Sequence, residues 1–538
     1  MDRYQRLQNL KDGKTFDLLV IGGGATGCGV ALDAASRGLN VALVEKNDFA
    51  EGTSSRSTKL LHGGVRYLEM AIKKLDRVQF NLVKDGLRER SLLLKNAPHL
   101  TNRLPLVTPL YSWIDVPYVF SGLKLYDVLS GKSNIGHSRL LSRKNALHRF
   151  PTLNGQGLKA GVLYYDGQFH DARLALSVAL TAEQQGATII NHVAVNRLLK
   201  DGEKIVGAEL TDSLSGESWL LHAKGVINAT GPFADQIRQL DNPAVPKILS
   251  VSTGIHIVLD KRFAPPDAGL LIPETDDGRV LFVLPWQNHA LIGTTDEPAE
   301  VSEHPQPLET EIDYLLRHVT RYFNLQVERS DIKAVWSGLR PLVSDPKSTD
   351  TARLARDHVL EERTDGLLTI AGGKWTTYRK MAQDTVDHAL RIFRLKARNP
   401  TCRTEHLPIF GGVDYDEKGD LKLIERFGLD AEVALHLNRT YGDRATLVAE
   451  LAQGGHNTRL VEEHPILEVE VIYAVRHELA ERVIDVLARR MSLALLDTQA
   501  ALRAAPKVLE IMTGELNWDQ KRIEAEKQLI TKRLNEAI

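Results

Sequence analysis

The sequence predicts an α/β fold closed by a helical C-terminal domain: a parallel-sheet unit near the N-terminus, an antiparallel sheet, then helices. Three observations carry that expectation. An apolar run at 17–21 ends in a glycine turn that opens a helix, strand-like alternation fills 247–300, and helical patterns follow one another beyond residue 399. At 538 residues the chain is too long for one core, so two or three domains are expected.

The opening element is DLLVIGGGATG, residues 17–27. Gly22 permits a tight turn, Gly24 lets the backbone approach a pyrophosphate, and Gly27 lets the helix pack closely on the strand. The helix runs over 25–37, Gly38 stops it, and a second strand at 41–44 ends at Glu45, whose carboxylate suits the ribose hydroxyls of an adenosine. A lone G-x-G-x-x-G is a weak signal. Its place between strand and helix makes it a dinucleotide turn.

The remaining elements follow from periodicity. Residues 73–97 form an amphipathic helix, and 104–129 make an apolar segment rich in aromatics and prolines. A helix at 171–186 precedes a strand at 188–195, and a strand at 225–228 ends in Ala229-Thr230-Gly231. A helix covers 309–323, and LLTIAGGK (367–374) repeats the strand-to-glycine theme before a helix at 375–394. In the C-terminal part, helices are expected at 430–441, 467–490, 498–513 and 517–535, the charges of 470–490 forming a solvated, salt-bridged face. Residues 414–425 partly mimic a calcium loop, but Lys418 puts an ammonium where a ligating oxygen belongs, and no metal site is expected.

Composition excludes several classes. A net charge of −1 argues against nucleic acid as a partner. Two cysteines, Cys28 and Cys402, make neither a disulfide framework nor a metal cluster and point to a reducing compartment. Residues 1–16 are polar, and no apolar run reaches membrane-spanning length.

The Ala-Thr-Gly231 and Ala-Gly372-Gly373 turns echo the opening motif. A nicotinamide site needs one such turn, whereas an extended FAD is met by several distant segments, so flavin is favoured. With these turns stand SSRSTKLLHGGVRYLE (54–69), INATGPFAD (227–235), WSGLRPL (336–342), GGKWTTYRKMA (372–382) and the C-terminal EVIYAVRHELAERVIDVLARR (470–490). Together, over about 16–510, they resemble the FAD-dependent, quinone-linked glycerol-3-phosphate dehydrogenases of the glycine/D-amino-acid oxidase-like superfamily.

That resemblance implies an FAD-binding Rossmann-like domain (16–75, 150–245 and 335–395), an antiparallel-sheet substrate domain (76–149 and 246–334) and a helical domain (400–538). It implies oxidation of glycerol 3-phosphate, electrons passed to a membrane quinone, and a protein lying peripherally on the cytoplasmic, inner face of the membrane. An apolar element at 106–129 with Tyr111, Trp113, Tyr118, Phe120 and Tyr126 suits either membrane contact or the core, the core being favoured. A homodimer stays open.

Oxidising the alcohol of a phosphate ester needs cations for the dianion, a base for the hydroxyl proton and a hydride acceptor. Arg66 and Arg340 are the phosphate candidates, because a guanidinium binds phosphate bidentately. Lys374 follows the double glycine, where a cation stabilises reduced flavin or a substrate oxygen. His62 and His256 are alternative bases, with Tyr67 and Thr377 as further substrate contacts. For the cofactor the expected set is Gly22, Gly24, Gly27, Glu45, Ser54, Ser55, Thr58, Lys59, Val193, Gly231, Gly373 and Thr376. The other histidines read as surface or loop residues. The competing functions are an oxidase using oxygen, an amine- or amino-acid-oxidising flavoenzyme, and a non-catalytic FAD-binding regulator.

Overall fold

A computed structural model describes residues 2–64, 77–240, 242–343 and 358–536. Arg66 and Tyr67 lie outside them.

The first sheet is built as the opening motif requires. Strand Phe16–Ile21 lies between Ser218–Asn228 and Val41–Val44, all parallel, flanked by Leu367–Gly372 and Thr188–Ile190, with His358–Glu362 as an antiparallel edge. Leu18, Leu19 and Val20 are fully buried, as expected for a parallel strand covered on both faces. Helix Ala25–Ser36 packs between helices Asp171–Gln184 and Tyr378–Ile392. Gly29 allows this, because a Cβ there would stand 2.8 Å from Cδ2 of Tyr378. The parallel strands end together at Ile21, Val44, Asn228 and Gly372, which places the glycine turns on one edge of the sheet.

One expected strand is two. The run 188–195 breaks at Asn191 and His192 (φ 57°), and Val193–Asp201 leaves to pair with Lys204–Asp212. The break has a cause: the Asn191 amide donates to Asp48 and to the Leu479 carbonyl, fixing the turn against the C-terminal helices.

The second sheet has ten strands, mostly antiparallel. Near one end Leu249–Asp260 pairs with His289–Gly293 on one side and along its length with Ile332–Val343 on the other. The sheet also takes in Ala160–Phe169, joined to Thr101–Leu110 over ten residue pairs. Residues 160–169 and 332–343 therefore share one sheet with 101–110 and 249–260, across the divisions expected at 150 and 335, because strands from either side of each division pair. The segment 104–129 divides into that strand and helix Asp115–Ser130. Tyr126 is 2% exposed and bonds the Gly63 amide and Asp166, whereas Trp113 and Tyr118 are 65% and 55% exposed.

The helix expected at 467–490 is also broken. Val469–His477 stops before Leu479 (φ 54°), and the chain restarts at Val483–Asp485 and continues as a π-helical turn, Val486–Arg490. Glu470, Glu478, Asp485, Arg489 and Arg490 are buried, not solvated, while Arg476 keeps the expected exposed pairing, with Glu515. Arg489 and Arg490 both grip Asp48 of the first sheet's loop, at 2.5 and 2.6 Å, while Glu478 pairs with Arg173 at 2.6 Å. The break lets Arg490 reach back to the Glu478 carbonyl at 2.8 Å. Several histidines expected at the surface are likewise interior: His99, His192, His318 and His464 are at most 5% exposed. They occupy polar seams between elements that hydrophobic periodicity does not reveal.

Candidate active site

Where the parallel strands end, a cavity of about 230 Å³, open to solvent on one side, runs along the sheet edge. Gly22 (φ 109°) turns the chain there, and a Cβ on Gly27 would stand 1.8 Å from the Gly22 carbonyl oxygen, so neither glycine tolerates a side chain. Gly231 (φ 56°) faces open space, with nothing within 4 Å of where a Cβ would be. Ser54 accepts from the Ala25 amide at 2.9 Å and is itself held by Trp375, whose indole N–H donates to the Ser54 carbonyl at 2.9 Å. Glu45 accepts from the amides of Gly23 (2.6 Å) and Asn47 (2.9 Å). Burial raises its pKa, and those two amides oppose the rise.

Beside the cavity stands a second constellation, made by the pairing of Leu249–Asp260 with Ile332–Val343. The register sets His256 opposite Trp336, Gly254 opposite Gly338 and Ser252 opposite Arg340. Alternation puts all six on one face. Two glycines hollow it. A Cβ on Gly254 would meet the Arg340 guanidinium at 2.1 Å, and one on Gly293 would meet the His256 ring at 2.2 Å.

Arg340 spreads over four acceptors: the Thr253 and Thr295 carbonyls (both 2.8 Å), Asp296 (3.0 Å) and Thr294 (3.0 Å). His256 lies against Trp336, ring centroids 4.2 Å apart, and its Nε2 is 2.9 Å from the Thr58 hydroxyl. Burial, with Lys59 and Arg340 nearby, holds the imidazole neutral, well below the usual pKa of 6.5. Its Nδ1 has no partner among the described residues. The loop through 54–62 joins the two places: Thr53 donates to the Leu339 carbonyl at 2.6 Å, Thr58 meets His256, and the His62 amide donates to Thr376.

Residues 17–379 match the family described as FAD dependent oxidoreductase, and 402–523 match the C-terminal domain of alpha-glycerophosphate oxidase. The mitochondrial glycerol-3-phosphate dehydrogenase of Rattus norvegicus is 47% identical, with 98% of this chain and 74% of the relative aligned. The probable mitochondrial glycerol-3-phosphate dehydrogenase of Caenorhabditis elegans is 48% identical, again over 98% of this chain and 74% of its own length. Among solved structures, the glycerol-3-phosphate dehydrogenase of Bacillus halodurans complexed with FAD aligns over 99% of this chain and 97% of its own, at 29% identity and a TM-score of 0.81. The chain belongs to the FAD-dependent glycerol-3-phosphate dehydrogenase family.

Its cofactor is FAD, and the cavity fits an extended dinucleotide: a glycine turn at a helix N-terminus, further glycine turns along the same edge, and an opening bare of side chains at Gly231. The glycine-rich N-terminal segment and the helical C-terminal domain occur on one chain.

Of the residues expected to hold the cofactor, Gly22, Gly24, Glu45, Ser54, Val193, Gly231 and Gly373 line the cavity, together with Lys374. Gly27, Ser55, Thr58, Lys59 and Thr376 do not line it. Lys59 departs furthest from its expected place. Its ammonium is 0% exposed with the rest of the residue, donates to both oxygens of Asp171 (2.7 and 2.8 Å) and to the Ser55 carbonyl (2.6 Å), and lies over the rings of Trp286 and Trp336. It pins the loop. The Val193 amide is already given to the Glu45 carbonyl at 2.8 Å, so it does not point at a ligand. Thr377 is buried with its hydroxyl on the Lys374 carbonyl at 3.2 Å.

Sequence reasoning missed Asp171, Trp336, Gly254, Gly293 and the Thr294–Asp296 turn that holds Arg340. Trp336 stood inside a quoted motif, and the Gly-Thr-Thr ending of LIGTTDEP was a readable signal; the glycines acquire meaning only from register.

Proposed function

We propose that this chain oxidises glycerol 3-phosphate to dihydroxyacetone phosphate and passes the electrons to a membrane quinone. The observation that carries the reading is the shared face of His256 and Arg340, hollowed by Gly254 and Gly293, beside the FAD cavity. FAD, when bound, supplies the hydride acceptor.

The chain's own residues do the rest. Arg340, with Arg66, takes the phosphate; its guanidinium is held in place by the Thr253 and Thr295 carbonyls, Thr294 and Asp296, and receives the dianion by exchanging one or more of these acceptors for phosphate oxygens. A neutral imidazole, His62 or His256, accepts the hydroxyl proton, and the burial that keeps His256 neutral keeps it able to do so. Thr58 fixes the His256 ring, and Trp336 excludes water from its face. Lys374, on the cavity wall, offsets negative charge gathered there on reduction. An amino-acid substrate has no phosphate for this pair of arginines, and the quinone is favoured over oxygen by the family to which the chain belongs.

No described helix is long and apolar enough to cross a membrane. Peripheral contact with the inner face is assigned to the exposed Trp113, Ile114 and Tyr118 at the start of helix Asp115–Ser130.

Dye-linked turnover of glycerol 3-phosphate by Arg340→Lys tests the phosphate role. Losing the planar fork while keeping the charge raises KM at least tenfold, about 1.4 kcal/mol or more. An unchanged KM, or turnover of amino acids as fast as of glycerol 3-phosphate, contradicts the proposal.

A further inference from the structure

Away from the flavin cavity, three side chains from separate segments converge where the second sheet meets the helical domain. His289 opens strand His289–Gly293, His464 lies in the loop before helix Val469–His477, and Asp497 caps helix Thr498–Leu516. One donor atom from each falls within 4.8 Å of the other two. The two imidazole rings are parallel to within 3°, with centroids 5.6 Å apart. His464 and Asp497 are 4% and 6% exposed, so the cluster is interior on the helical side and half-buried at the sheet.

The hydrogen bonds around the cluster leave metal-binding lone pairs available. His289 Nδ1 is 2.9 Å from the Gln287 carbonyl, which can only accept, so Nδ1 carries the proton and Nε2 presents its lone pair. Asp497 gives Oδ1 to the Ala500 amide at 2.9 Å and turns Oδ2 toward His464 Nε2, 4.0 Å away. Such a separation is too long for a hydrogen bond and leaves a gap between donors.

We propose that His289, His464 and Asp497 bind one divalent transition-metal ion of the zinc type. Two imidazoles and one carboxylate are a nitrogen-and-oxygen donor set suited to Zn²⁺, with water completing a tetrahedron, and unlike the all-oxygen sets of Ca²⁺ and Mg²⁺. Metal–ligand bonds of about 2.0–2.1 Å put tetrahedral donors roughly 3.4 Å apart, so the side chains close by about 1.4 Å at most. The Lys333 ammonium, 4.0 Å from Asp497 Oδ2, opposes binding, but its side chain is 42% exposed and able to swing outward.

The ion would clamp the helical domain to the strand that neighbours Leu249–Asp260, in which Gly293 pairs with His256. This site is independent of the flavin chemistry.

The test uses FAD-loaded protein stripped of metal by a chelator, titrated with Zn²⁺ by calorimetry and with Co²⁺ by visible absorption. One equivalent of saturable binding is expected, together with the absorption of a tetrahedral Co²⁺ centre. His464→Ala and His289→Gln should each weaken binding at least about 100-fold, and Lys333→Met should tighten it. The exposed His456→Ala should leave it unchanged. His289 is half-exposed at a hairpin end, so His289→Gln keeps the test decisive if His464→Ala does not fold. Absence of saturable binding in the parent, or equal binding by His289→Gln, overturns the proposal.

Discussion

Gly27 and Gly293 do the same kind of work at different places: each leaves out a side chain so that another group can come close. Alanine at 27 drives a methyl to 1.8 Å from the Gly22 carbonyl oxygen, and only a backbone shift relieves it. Gly27→Ala should therefore purify with less than about a tenth of the parent's flavin, read as flavin absorbance per protein, while Gly514→Ala, in helix Thr498–Leu516 with nothing within 4 Å, keeps its full complement. Gly293→Ala pushes the His256 ring and should lower kcat at least tenfold with FAD content unchanged, which separates the substrate face from the cofactor cradle.

Protonation provides a second test at this scale. Burial, helped by Arg173, holds the His99 pKa down at about 3. The unfolded chain takes up that proton near pH 6.5 and the folded chain does not, so His99 contributes full stability above 6.5 and loses it as pH falls. The loss is about 1.4 kcal/mol per unit below that point. In urea unfolding, His99→Gln should show an acid slope smaller by about that amount; an unchanged slope contradicts it.

Among the elements, the segment 467–490 shows what pattern reading could and could not see. Helical periodicity was correct for much of it, but the charges at 478, 485, 489 and 490 look the same on paper whether they face water or a partner. Only the approach of Asp48 and Arg173, hundreds of residues earlier, makes them interior. The glycine turns were legible because their chemistry is local: strand, turn and helix are contiguous. His256 and Arg340 were legible as residue types in motifs, but their sharing one face is a product of antiparallel register between distant strands. The histidines of the proposed metal cluster were read as surface residues for the same reason.

Breaking one of these buried pairs should be costly. Arg173→Met leaves Glu478 charged and enclosed and should cost about 3–5 kcal/mol, whereas Arg173→Met with Glu478→Leu should recover most of it. Unfolding midpoints of the two variants and the parent decide the matter; equal midpoints for the single and double variants would show that the pair does not act as a unit.

For the molecule as a whole, the arrangement is one sheet for the cofactor, one for the substrate and a helical domain locked to both through Arg173, Arg489, Arg490 and the Trp336–Leu495 hydrogen bond of 3.2 Å. The membrane face belongs at this scale. Trp113→Asp with Ile114→Asp, both at exposed positions, should move folded protein from vesicle pellets to the supernatant, and unchanged co-sedimentation excludes that face.

The central claim is that glycerol 3-phosphate delivers its electrons to FAD in this cavity. Anaerobic mixing of the flavin-loaded protein with glycerol 3-phosphate tests it most directly. The flavin band near 450 nm, roughly where oxidised flavins absorb, should bleach and then return faster with a quinone analogue than with oxygen. A band that stays unbleached under saturating glycerol 3-phosphate, in protein that dithionite still reduces, would contradict the account.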